Sequence, residues 1–249
     1  MKAQNPGLNF ENAVFPAIMT GFSFIAFLVV YWIVTQGFVE PYYWAGILFA
    51  VPFVTFGILT YCAAKGSIGT SLSAIITSSL TVSFGILAVA LLVILLIASS
   101  TTTSTDVKRY EKALSQMGYP NILTKDFPRE IPDNAENVAF TYHPAFGQGG
   151  EQLTLKFKTD EDSVHLYKEY FTKTAVWFGS FGDKERESHG VFDGKLNAFR
   201  DGHNELPSDL VIYVVFSEPR RPGDWNHGEL SLVAISEGNL EIMFLAEGW

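Results

Sequence analysis

Charge is nearly missing from the first two fifths of this sequence. Between Glu11 and Asp106 only Glu40 and Lys65 carry a charged side chain. They divide an apolar stretch into runs at 12–39, 41–64 and 66–105 that contain no Asp, Glu, Lys or Arg. A hydrocarbon core about 30 Å thick needs about 20 apolar residues of helix, so each run is long enough to cross a bilayer. A proton relay, an ion path or a voltage sensor needs ionisable groups at membrane depth. The spans hold none, which argues against a solute transporter built from these helices alone. Thiols are scarce too: Cys62 is the single cysteine and lies inside the second run. No internal disulfide and no paired-cysteine zinc site follows from it, and cysteine usage assigns no compartment. There is no Gly-x-Ser-x-Gly elbow, so familiar serine or thiol hydrolysis has no support.

The apolar runs predict three transmembrane helices at 15–37, 43–64 and 73–98. The first is too long for the apolar core of a signal peptide and has no small-x-small cleavage site after it, so it reads as a retained span. Tyr31 and Trp32, then Tyr42, Tyr43 and Trp44, supply aromatic rings that favour the head-group level. Lys2 and Lys65 share one side, and the loop between spans one and two has no basic residue. By the positive-inside rule the amino terminus is cytoplasmic and the polar region lies outside. Lys108, Arg109 and Lys112 follow the third span, but Asp106 and Glu111 are interspersed, and a long domain translocates regardless of its charge. Small residues recur every four positions: Ser73, Thr77, Thr81 and Gly85 in span three, with Ala88 continuing the stripe, and Gly46 with Ala50 in span two. Such spacing lets helices approach closely, within the chain or against a partner's helices. Pro52 is expected to kink span two.

Residues 1–100 are neutral overall, so the net charge of −9 belongs to residues 101–249, with 15 basic and 24 acidic side chains. A region this acidic has little attraction for nucleic acid or anionic lipid. After a Ser/Thr-rich tether at 99–105, a helix is expected over 106–117, capped by Thr105 and stopped by Gly118 and Pro120. Val138, Phe140 and Tyr142, then Leu153, Leu155 and Phe157, alternate with polar or small residues around glycines 147, 149 and 150, which reads as a hairpin. A second helix is expected over 160–174, with Asp160 to Asp162 at its amino end. Residues 175–206 give no clear element. Leu210 to Phe216 suggests a strand covered on both faces, and 230–236 with 240–246 suggests a second hairpin. The expected architecture is a three-helix membrane region (1–98), the tether, and an acidic soluble α+β domain (106–249) whose mainly antiparallel sheet has about five strands and two helices.

Candidate chemistry is thin. The histidines 143, 165, 189, 203 and 227 are never closer than 14 residues, which is not a metal-ligand spacing. Asp193, Asp201, Glu205 and Asp224 would join them only if the fold assembled a site. Gly147 to Gly150 lacks the Lys-Ser/Thr of a phosphate loop, and Asp160 to Asp162 lacks the glycine and terminal glutamate of a calcium loop. No cofactor and no metal are expected. Two places stand out as partner surfaces: the aromatic cluster Trp177, Phe178 and Phe181, whose default role is core, and the loop carrying Arg220, Arg221 and Trp225, residue types enriched at binding hot spots.

The stretch 127–158 is the most distinctive: Phe127-Pro128-Arg129-Glu130-Ile131-Pro132, then Phe140-x-Tyr142-x-Pro144, Gln148-Gly149-Gly150 and Leu153-x-Leu155-x-Phe157-Lys158. It resembles a segment of uncharacterised membrane-anchored or lipoprotein-type extracytoplasmic domains of Gram-positive bacteria. The resemblance implies an extracytoplasmic domain at the bacterial plasma membrane. It brings no activity and no functional residue. The expectation is a non-enzymatic membrane protein whose outward domain binds an envelope ligand or a membrane-protein partner, in an accessory, sensing or assembly role. The alternatives are an envelope-acting enzyme with a site in 183–227 and an accessory subunit of a transport complex.

Overall fold

The computed structural model describes residues 10–147, 149–196, 206–221 and 224–248, the side chains of 224–227 excepted. The chain divides into two compact units, with the boundary between Ser99 and Ser100.

The first unit is helical: α1 (Phe10–Gln36), α2 (Tyr43–Leu48), α3 (Val51–Ala64) and α4 (Thr70–Thr101). Three helices are long and apolar enough to cross a membrane: α1, the α2–α3 pair as one broken span over Tyr43–Ala64, and α4. The break falls at Phe49–Ala50, two residues before Pro52, which has no N–H to continue the helical ladder. There the chain tightens: Phe49 N–H donates to Gly46 O at 3.2 Å and Ala50 N–H to Ile47 O at 2.9 Å. Hydroxyls within the helices turn back onto their own backbone, as in Thr77 to Ser73 O (2.7 Å) and Thr35 to Tyr31 O (2.7 Å), which pairs them without water. Across helices, the hydroxyls of Thr20 and Thr60 meet at 3.0 Å, and Phe24 packs on Phe53 at 5.0 Å.

The second unit begins sooner than a free tether would allow. Residues 99–101 are the last turn of α4, and Ser104 exchanges both backbone hydrogen bonds with Tyr142, at 2.9 and 2.8 Å. The next turn is capped by Asp106, whose carboxylate accepts from Lys108 N–H at 3.0 Å, rather than by Thr105. α5 (Tyr110–Gln116) follows and stops before Gly118, whose φ of +82° suits glycine. Then come β1 (Glu136–His143), β2 (Glu151–Lys158), α6 (Glu161–Thr174), β3 (Trp177–Ser180), α7 (Asp193–Leu196), β4 (Val211–Arg221), β5 (Asp224–Ser236) and β6 (Glu241–Gly248).

All six strands form one antiparallel sheet in the order β1-β2-β6-β5-β4-β3. The expected five strands are six because β3 forms an edge from the segment that gave no clear element. Register sorts the two faces. Leu155 opposes Phe244, Phe244 opposes Val233 and Val233 opposes Tyr213, which sets these side chains on one face. That face is covered by α6 and by the 110–127 segment, through Phe171, Tyr110 and Phe127. Ile212, Val214, Leu232, Ala234, Met243 and Leu245 point the other way, into a core closed by Val191, Leu196 and Leu210. Double coverage explains why β6 is buried from Ile242 to Glu247 although its sequence alternates only in part.

Candidate functional site

The site with the most chemistry among the described residues is a cleft of about 450 Å³ between α6 and the segment 121–127. Each wall follows from local sequence. Asp160 caps α6 by accepting from Ser163 N–H at 2.7 Å, and Asn134 donates to both Asp160 and the Ser163 hydroxyl. Capping and helical spacing turn Val164 and Phe171 into the core and leave Leu166 and Tyr170 exposed one turn apart. The opposite wall is an Asn turn: the Asn121 carboxamide oxygen accepts from the N–H groups of Leu123 and Thr124, both at 2.9 Å. Leu123 and Phe127 are buried on either side, pinned by Ser231 Oγ on Leu123 O (2.8 Å) and by the Phe127–Phe244 ring contact (5.3 Å). Lys125 and Asp126 between them are carried to the cleft.

Asp126 is the chemical centre. Its Oδ1 accepts from the Tyr170 hydroxyl at 2.8 Å, while its Oδ2 is closed off from solvent and has no hydrogen-bond partner. An acceptor left in that condition costs about 1–3 kcal/mol, more when charged. The carboxylate beside it is the chief reason the Tyr170 hydroxyl is held above the ordinary tyrosine range, with burial adding to the effect. Tyr167 is shifted the same way by burial alone. The floor is aromatic: Tyr167 stacks with Phe171 at 6.3 Å, and Tyr170 meets Phe171 edge-on at 5.0 Å. A second cleft, about 540 Å³, is lined by Glu111, Tyr119 and Arg129, but no polar atom lining it is both sealed from water and unpartnered.

The residues singled out from sequence do not gather in one place. Trp177 and Phe181 are partly buried against the core on the face away from α6. Trp177 stacks on His189 at 5.6 Å, and Phe181 lies under the Arg186 guanidinium at 4.9 Å. Phe178 points to the α6 side, is half exposed, and stacks on Tyr213 at 5.7 Å, continuing through Phe171 the ring layer that floors the cleft. Arg220 and Arg221 are exposed at the end of β4, inside the ladder rather than in a loop. Trp225 stands in β5, with its side chain outside the described residues.

In the helical unit the small-residue stripe divides. Ser73 and Thr77 are buried, and Ser73 Oγ donates to Asn12 O at 3.1 Å. Thr81 and Gly85 instead line an apolar groove of about 220 Å³ with Phe22, Phe56 and Phe84. Gly46 is a true close approach, since a Cβ there would lie 2.8 Å from the Tyr31 ring. Ala50 sits in the break between α2 and α3.

In the 183–227 region, buried Arg186 donates to Phe181 O (3.0 Å), Val191 O (2.6 Å) and Asp193, which organises the loop. Positions 197–205, with Asp201, His203 and Glu205, lie outside the described residues. Among the described residues no three His, Cys, Asp or Glu side chains come together as a metal site. Asp126 and Tyr170 escaped sequence reasoning because 44 residues separate them and no pattern links them. The chain matches no family model, no curated protein and no solved structure.

Proposed function

We propose that this chain is an integral membrane protein of the bacterial envelope whose acidic α+β unit stands outside the plasma membrane and works by binding. The observation that carries the binding role is the cleft beside α6, where Tyr167, Tyr170 and Phe171 form an aromatic wall beside Lys125 and Asp126. Concave, mostly apolar sites with a few convergent polar groups are the usual form of a small-molecule pocket. The outward orientation is supported by Lys2 and Lys65, the basic residues of the short flanks, and by the resemblance of 127–158 to Gram-positive extracytoplasmic domains. The net negative charge of the second unit turns it away from nucleic acid and fits a role toward envelope material or a membrane-protein partner. Protease treatment of intact cells carrying a tag at each terminus tests the orientation. Loss of the carboxy-terminal tag with the amino-terminal tag retained is expected, and the opposite pattern would place the unit in the cytoplasm and end this reading.

A further inference from the structure

We infer that one acyl chain of a bilayer lipid is held between α4 and the α1–α3 pair, as an internal part of the helical unit. The inference is independent of the α6 cleft and of the orientation proposed above. α1 packs directly along α3, through the Thr20–Thr60 hydroxyls and the Phe24–Phe53 rings. α4 is buried only toward its two ends: Ser73 and Thr77 near one, Leu95 near the other, and no residue between Thr77 and Leu95. Over that middle stretch lie two apolar grooves, of about 220 and 210 Å³, which share Phe49, Pro52, Phe84 and Ala88 in their walls. The larger is closed on its third side by α1, through Phe22 and Phe27. A Cβ built on Gly85, in the wall of the larger groove, would meet nothing within 4 Å.

The lining selects the occupant. It contains no ionisable group, and its hydroxyls are already paired: Ser23 donates to Met19 O at 2.7 Å and Thr81 to Thr77 O at 2.8 Å. A polar ligand would give up its water there and find no hydrogen bond. A partner helix is too thick. One helical turn about 10 Å across and 5.4 Å long fills about 420 Å³. The larger groove holds about 220 Å³ while running along about three turns of α4, from Thr81 to Leu92. A chain of methylenes is thin, has no polar group to satisfy, and is what the bilayer supplies at that depth. Between helices it makes dispersion contacts on more than one side, which a tail lying against a single helix does not.

Native mass spectrometry of the full chain, extracted from membranes in a mild detergent, reads the tail as a bound lipid. A single phospholipid is expected to stay on each chain under activation that strips the detergent. Gly85→Leu fills the groove and is expected to lower the lipid-bound fraction several-fold, with helicity by circular dichroism unchanged. Ile86→Leu, on the exposed side of α4, is expected to keep the lipid. The unaltered chain gives a second readout that needs no variant to fold. After delipidation it is expected to rebind phosphatidylcholine and phosphatidylglycerol of the same acyl composition equally, because the groove has no group to recognise a headgroup. No retained lipid would overturn the inference, as would an undiminished lipid-bound fraction in folded Gly85→Leu or a clear preference for one headgroup.

Discussion

The two units use the same apolar residues in opposite ways. In α4, Ile86 is 67% exposed and Val82 63%, while in the sheet Leu232, Phe244 and Leu245 are fully enclosed. Leucine and valine left outside on this scale fit hydrocarbon as the solvent, and those sealed inside fit water. Polar groups divide along the same line. Hydroxyls in the helices mainly return to their own backbone carbonyls, as Thr81 does to Thr77 O at 2.8 Å, with Thr20–Thr60 and Ser73 on Asn12 O as cross-helix contacts. In the sheet unit polar groups act over long sequence distance, as with Lys195 on Glu247 at 3.0 Å and Asp209 on Gly238 N–H at 2.7 Å. Packing between the helices gains little from apolar burial, because lipid tails are as apolar as leucine; close approach at small residues such as Gly46 takes its place. The sheet unit gains most of its stability from burial.

That difference is broken most forcefully at Phe244, the ring that Phe127, Phe157, Tyr167 and Phe171 all contact. Phe244→Ala is expected to cost the sheet unit about 3–5 kcal/mol. Urea unfolding in micelles, followed by near-ultraviolet circular dichroism, reads that loss while membrane insertion is unchanged. Arg186→Ala comes next, at about 2–3 kcal/mol, because two loop carbonyls lose a charged donor; the same unfolding curve measures it. In the helical unit, Gly46→Leu forces a side chain against Tyr31 and Val34 and is expected to cost about 2 kcal/mol. Its signature is earlier loss of helicity in a denaturing-detergent titration, with the urea transition of the sheet unit unmoved.

The smallest effect is in pH dependence, where two carboxyls of the sheet unit act with opposite sign. Burial raises Glu151 above its ordinary value, against the lowering effect of the Tyr142 hydroxyl that donates to it at 2.5 Å. The native state therefore keeps a proton that the unfolded chain releases, and stability falls as pH rises from the ordinary carboxyl value toward the raised one. Asp209 is lowered, first by the Gly238 N–H and also by the Ser236 hydroxyl. Its contribution is present above the ordinary aspartate value and is lost as pH falls through the lowered one. Glu151→Gln is expected to flatten the first slope and Asp209→Asn the second, in urea titrations run between pH 3 and 7.

The helical unit was legible because it rests on one rule, the exclusion of charge, and even its break followed from Pro52. In the sheet unit, the hairpins and α6 were legible from alternation and from the Asp160 cap. β3 was not. It is four residues long and contains Gly179, so no alternation marked a strand there, although core was the default reading of Trp177, Phe178 and Phe181. β4 runs on to Arg221, past Pro219, because that proline sits opposite Gly228 near the hairpin end, where the ladder is irregular. The cleft was hidden for a different reason. Its walls come from a helix and an Asn turn that share no periodicity, and only the fold sets Asp126 beside Tyr170.

The central claim, a membrane-anchored unit that meets its ligand outside the cell, is tested most directly by single-cysteine labelling. In a Cys62→Ala background, Leu166→Cys places a thiol at the rim of the cleft and Ser67→Cys places one in the α3–α4 loop. Intact cells treated with a membrane-impermeant maleimide are expected to label position 166 at once and position 67 only after permeabilisation. Labelling of position 67 in intact cells, with position 166 protected until lysis, would contradict the claim.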